Sequence, residues 1–279
     1  MKKTILLFIA ISAIISSCDV IEPPYTTTNT GQDTTTNQVV QKVYVEYFTG
    51  HKCINCPTEA AQLKALKSIY GDKLVFISIH SGAFATPSAP NYLVDYRTIT
   101  GNELDANFDV TTISVPNSLV NRKQYEGDVV LPSAAWGGAI AAELLRMPQA
   151  AICLNPTLSG NSIELKAGIK PLAQIEGTFM ISAYIVEDSI MSWQKNNNIE
   201  IGPTPDITDY YHRYVLRTSM NGTFGDTLFC PVAMPTDSFN INYSTPADPT
   251  WNTSKLYVVC FIYNKETDEV LQVEMKKIK

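Results

Sequence analysis

Histidine is scarce in this chain: its 279 residues hold three, His51, His80 and His212. With no paired-histidine motif and no second Cys-x-x-Cys, a zinc centre is the weakest reading of any cysteine here, and no metal or cofactor is expected. There is no glycine-rich phosphate loop and no Gly-x-Ser-x-Gly elbow, so nucleotide-loop and serine-hydrolase chemistries find no support. Basic residues are too few for a nucleic-acid surface, since 21 Lys and Arg face 27 Asp and Glu for a net charge of -6. Internal repeats are missing as well. The apolar run at 5–15 is too short to span a membrane comfortably.

That run follows Lys2 and Lys3, the layout of a signal peptide, and it ends in Ile15-Ser16-Ser17-Cys18. The ending looks like a bacterial lipobox, which implies that Cys18 is lipidated and becomes the mature N-terminus, anchoring the chain without a transmembrane helix. The plainer alternative is an ordinary signal peptide whose removal leaves Cys18 free. Residues 19–41 are rich in Thr, Asn, Gln and Pro and read as a disordered tether, with a coil reach of roughly 25 Å. The layout is a signal peptide at 1–17, a tether at 18–41 and a remainder long enough for two ordinary cores.

The most informative stretch is Cys53-Ile54-Asn55-Cys56-Pro57. Before it, 43–48 is β-branched and aromatic, a strand; after it, 58–70 places Ala61, Leu63, Leu66 and Ile69 at helical spacing. A dithiol at a strand-to-helix junction sits at the positive end of the helix dipole, which favours a thiolate at Cys53, with His51 and Lys52 adding positive or polarisable character. Pro57 fits the first turn of a helix. The unbroken apolar run 74–79 reads as a buried parallel strand, 101–109 as a helix, 113–122 as a strand entered through Pro116, and 133–146 as a helix capped by Ser133.

These pieces make residues 42–147 resemble the thioredoxin superfamily through the dithiol after a strand, the V-P-N-S-L-V-N-R segment and the order of elements. The resemblance implies an α/β thioredoxin-like domain in which Pro116 is cis and orients substrate, Glu46 lies near the position of a buried carboxylate beneath the second cysteine, and Lys52 replaces the usual tryptophan. The expected catalytic set is Cys53, Cys56, Pro116 and Glu46. A static disulfide remains the alternative for an exported chain.

Beyond Pro148 the pattern changes. Stretches at 150–154, 162–169, 178–186, 238–243, 256–264 and 270–275 read as strands with no good helix among them, so 148–279 is expected to be an all-β immunoglobulin-like sandwich ending in a hairpin. Cys153 and Cys260 fit either small core residues or a pair across the sandwich, and Cys230 joins them as a third cysteine. Between the strands, Tyr210, Tyr211, His212, Arg213, Tyr214 and Arg217 have the composition of a recognition surface, or of an edge strand whose tyrosines cover the core.

The lipobox-like start, E-Y-F-T-G-H-K-C-I-N-C-P, Y-H-R-Y-V-L-R and V-V-C-F-I-Y-N-K-E-T-D-E-V-L-Q together resemble the twenty-eight-kilodalton outer membrane protein family of Bacteroidetes-type bacteria. That resemblance implies a lipid-anchored outer-membrane protein, on its periplasmic or cell-surface face, with an adhesin or receptor role and exported or surface proteins as partners. The alternative is a membrane-tethered thiol-disulfide oxidoreductase working through Cys53 and Cys56.

Overall fold

A computed structural model describes residues 39–279; Cys18, the signal peptide and nearly all of the tether lie outside the described residues. The first half runs β1 (Val43–Thr49), α1 (Cys56–Tyr70), β2 (Leu74–His80), short α2 (Gly82–Ala85), α3 (Ile99–Phe108), short α4 (Val110–Ile113), β3 (Asn117–Val120) and α5 (Ser133–Leu144). β1 and β2 pair in parallel around α1, and β3 pairs antiparallel with β1. Every residue of these three strands is buried, including the polar Glu46, Ser78, Asn117 and Ser118. Pro132 rather than Ser133 occupies the N-cap of α5, and the helix sends Trp136 and Ile140 into the core, where the indole N–H donates to the Leu131 carbonyl at 2.9 Å.

The second half runs β4 (Ala150–Ser159), β5 (Ser162–Pro171), β6 (Ile175–Glu176), β7 (Phe179–Glu187), β8 (Ile190–Lys195), β9 (Asp206–His212), β10 (Val215–Ser219), β11 (Asp226–Phe229), β12 (Val232–Ala233), β13 (Phe239–Pro246), β14 (Leu256–Asn264) and β15 (Val270–Lys277). Here the structure corrects the expected fold class. A single sheet, ordered β15-β14-β7-β10-β2-β1-β3 with β11 on β7, passes through both halves. The suture is β10, which lies antiparallel to β7 and meets β2 in parallel at Val215 and Ser78. Ser78 fixes it by donating its N–H to the Tyr214 carbonyl at 2.9 Å and its hydroxyl to the Arg213 carbonyl at 2.7 Å. The described residues are mostly β with mixed pairing, and among them there is no self-contained α/β thioredoxin-like domain and no separate immunoglobulin-like sandwich.

A three-stranded sheet, β13-β5-β4, packs on one side of the shared sheet, putting Leu154, Ile163, Leu165 and Ile169 against Ile181, Ile185, Val258 and Ile262. Tyr44, Ile77, Leu119, Val186 and Phe261 form a second core, and Val45, Tyr47, Leu63, Phe76 and Trp136 a third under α1 and α5. β7 is buried along its whole length and β14 everywhere but at Tyr257 and Asn264. Each such apolar side chain contributes about 1.5–3 kcal/mol on leaving water.

Asn121 and Arg122 take left-handed backbone conformations, with φ of 48° and 50°. The turn is locked because the Asn121 side chain accepts from the Tyr44 N–H and donates to Glu143, both at 2.8 Å. It delivers Arg122 into the core onto Glu46.

Candidate functional site: a covered disulfide

β1 ends at Thr49, and Gly50 then passes against the backbone of Phe84. A Cβ at residue 50 would stand 2.5–2.7 Å from the Phe84 and Ala85 main chain, so this close approach requires glycine. Lys52 N–H donates to the Phe84 carbonyl and Cys53 N–H to the Gly50 carbonyl, both at 3.0 Å. The turn places Cys53 just ahead of Cys56, the first residue of α1, and the two form a disulfide with Cα atoms 5.4 Å apart. The pair sits at the start of α1, the positive end of the helix dipole.

The other expected partners distribute as follows. The Val115–Pro116 peptide is cis, and the Val115 carbonyl oxygen is 4.0 Å from Cys53 Sγ, a contact rather than a hydrogen bond while the disulfide holds. Glu46 is buried on the strand face opposite α1, where Arg122 takes both its oxygens at 2.7 Å. Strand alternation turns Tyr47, its neighbour, toward the helix instead, and the Tyr47 hydroxyl donates to the Cys56 carbonyl at 2.9 Å. His51 is buried too; desolvation lowers its pKa, so it stands neutral beside the pair rather than positive.

Cys53 and Cys56 are only 3% and 2% exposed. The loop that carries them is tied down by the hairpin β8–β9, a two-stranded sheet of its own. Its Gln194 side chain donates to the Cys53 carbonyl at 2.9 Å and the Gly50 carbonyl at 3.3 Å. Lys195 N–H reaches the His51 carbonyl at 2.8 Å and Asn197 N–H the Ile54 carbonyl at 3.2 Å, while the Asn197 amide meets the Asn55 side chain at 2.7 Å. Sequence reasoning missed this clip. Its signal was the polar run Gln194-Lys195-Asn196-Asn197-Asn198, dense in amide side chains able to satisfy the backbone of a turn.

The tyrosine, histidine and arginine stretch lies along β9 and β10. Tyr211 points to solvent, whereas His212 is buried. Arg213 forms two bonds to Asp188, at 2.5 and 2.9 Å, and Tyr214 packs edge-on against Phe76 and Tyr257. Arg217 pairs with Glu187 at 3.2 Å and stacks over Trp251. Tyr210 lines a cavity of about 290 Å³ with Tyr47, Pro57, Leu63, Phe76 and Arg213, directly beside the start of α1. Cys153, Cys230 and Cys260 are unpaired, the first two exposed and the third buried, with its thiol pushed up to about 12 by desolvation and then by Glu274. Among the described residues no cluster of three or more His, Cys, Asp or Glu could hold a metal, and no helix is long and apolar enough to cross a membrane.

Comparison with known proteins gives the chain its relatives. HBP35 of Porphyromonas gingivalis has a similar structure, with a TM-score of 0.62 at 16% identity over 86% of this chain and 76% of that one. The likeness is one of fold, and it extends across both halves of the shared sheet. More distant are a protein from Agrobacterium tumefaciens, with a TM-score of 0.48 at 13% identity over 85% of this chain and 95% of that one, and a domain of the outer membrane lipoprotein Omp28 from Porphyromonas gingivalis, with a TM-score of 0.33 at 18% identity over 48% and 91%. No curated protein matches the sequence. The family described as Outer membrane protein Omp28 matches residues 101–279, well over half the length, and this chain belongs to that outer-membrane family.

Proposed function

We propose that this outer-membrane protein is held by lipid on Cys18 and exchanges disulfides with exported or surface proteins through Cys53 and Cys56. The observation that carries the reading is the placement of the pair: a disulfide at the first turn of α1, beside the Val115 carbonyl, under a hairpin that joins it by a few polar bonds. In the reduced protein Cys53, ahead of the helix, attacks a partner's disulfide as thiolate and forms a mixed disulfide. Cys56 then attacks Cys53 Sγ and releases the partner's thiol, so two electrons and two protons pass to the partner and Cys53–Cys56 is oxidised.

The test is trapping. A Cys56→Ser variant should accumulate mixed disulfides through Cys53 and a Cys53→Ser variant few. Equal, negligible trapping by both would remove the exchange reading.

A second reading, surface binding without thiol chemistry, is favoured by one feature of the hairpin. Met191 and Tyr211 are cross-strand partners on its outer face, 60% and 56% exposed. Large side chains on an element that is not part of the main sheet suit contact with a partner. Tyr211→Ser with Met191→Ser should then weaken capture of surface proteins and leave disulfide trapping unchanged.

A further inference from the structure

All three histidines of the chain meet behind the covered disulfide. His51 comes from the loop carrying Cys53, His80 from the end of β2 and His212 from the end of β9. The His80 and His212 rings are 5.4 Å apart, and the Tyr96 ring lies 4.9 Å from His80, 5.1 Å from His212 and 6.1 Å from His51. Tyr92 stacks on His51 at 5.3 Å and Tyr210 meets His212 edge-on at 4.9 Å. The cluster therefore crosses the seam between the main sheet, the dithiol loop and the hairpin that covers it.

The rings are nearly without polar partners. Both nitrogens of His80 are buried with no hydrogen bond; His212 has Ser192 Oγ 3.1 Å from Nε2 and a hydrogen bond to the Trp193 backbone, and His51 Nε2 has the Thr86 carbonyl at 3.3 Å. The charged groups around them are Lys52, Asp95 and Arg97 near His51, and Arg217 toward His80, with Glu187 and Arg217 acting on Tyr96. Asp206 accepts from the Tyr92 hydroxyl and Lys195 lies over the Tyr92 ring. Among the described residues no carboxylate hydrogen-bonds an imidazole. Burial, followed by His212, His51 and Arg217, holds His80 well below the usual histidine range, and burial takes His212 down to about 3.

We propose that this histidine cluster is an acid-operated latch: proton uptake by His80 and His212 parts the β8–β9 hairpin from the dithiol loop and opens Cys53–Cys56 to a partner's thiols. The last clause rests on the exchange reading; the latch itself rests on the cluster. The closed form binds fewer protons than an open form whose hydrated imidazoles titrate near 6.5. Closure is therefore fully stable above about pH 6.5 and weakens as pH falls below it. Between pH 7.5 and 5.0 each histidine that is neutral when closed multiplies the open-to-closed ratio by about 30, and His80 with His212 by about 1,000.

The experiment follows reduction of Cys53–Cys56 in the full chain by a water-soluble phosphine from pH 7.5 to 5.0. Each rate is divided by that of an oxidised peptide carrying His-Lys-Cys-Ile-Asn-Cys-Pro, which cancels the reagent's own titration. The wild-type ratio should rise by two to three orders of magnitude or more, and that of a His80→Phe/His212→Phe variant, which keeps His51, by no more than about 30-fold. Where the double variant is unstable, His212→Gln alone should take about 30-fold off the rise. Amide exchange, corrected for its intrinsic pH dependence, should accelerate at 190–212 while β7 and β14 stay protected. A flat wild-type ratio, an equal rise in the variants, or unchanged exchange at 190–212 would overturn the latch. The exchange measurement reads the hairpin whether or not the dithiol turns over, so absent mixed disulfides with an acid-opened hairpin would count against the exchange reading alone.

Discussion

Arg122 grips Glu46 with two 2.7 Å bonds, and both side chains are completely buried. The rings of Phe108, Phe261 and Tyr263 stand 5.0–5.4 Å from the guanidinium. Those rings come from α3 and β14, so one ion pair ties β1 to distant parts of the chain. Removing a single partner strands a charge in a low-dielectric core. Arg122→Met should cost about 3–5 kcal/mol, whereas Glu46→Leu with Arg122→Met should recover most of that loss. Urea denaturation of the two variants checks both values.

The shared sheet predicts cooperative unfolding. Fragments 42–147 and 148–279, expressed separately, should each lack native packing, because the first loses β10 from the edge of β2 and the second keeps β10 on β7 but loses β2 from its other side. Circular dichroism and near-ultraviolet spectra of the fragments decide it. Two independently folded fragments would contradict the suture.

Gly50→Ala should displace the Phe84–Ala85 backbone and with it the Lys52 and Cys53 turn. A loss of about 2–3 kcal/mol is expected, in the range of overpacking by one methyl, together with faster phosphine reduction of the disulfide at pH 7.5. Tyr47→Phe is milder, at about 1 kcal/mol for one hydrogen bond. Thermal melts and reduction rates measured on the same samples separate the two effects.

Thiol labelling of the native protein should modify Cys153 and Cys230 and spare Cys260, whose burial keeps it protonated at pH 8. In denaturant, with the disulfide intact, all three should react. Mass spectrometry of a chain beginning at Val39 gives the counts directly.

Cys18→Ala should release the protein from membranes or block its maturation. Fractionation with an acyl label tests it; a variant that stays in the membrane fraction, alongside a parent that carries no acyl label, would exclude lipid attachment.

Local order was readable from the residues. Strand runs 43–48 and 74–79, the helix starting near Cys56 and the terminal hairpin at 256–275 all lie where the apolar spacing puts them. What was not readable is pairing at long range. Val215 sits beside Ser78 although 137 positions separate them, and nothing in the pattern of either strand marks the other as its neighbour. The central strands β7 and β14, buried over nearly all their length, carry the same apolar character in a sandwich core as in the middle of one large sheet. The site shows the same limit. The dithiol was visible in its spacing, but Gln194 and Asn197 reach its loop only through the fold, and Glu46 turned away because strand alternation gave Tyr47 the side facing α1.

The clip over the disulfide also sets an order of events in synthesis. A chain made and exported from its N-terminus presents Cys53 and Cys56 well over a hundred residues before β8 and β9 arrive. The pair therefore meets the oxidising machinery of its compartment while bare, and it is shut away only when the later strands complete the sheet. Oxidation comes first in biogenesis, and the cover decides who can undo it.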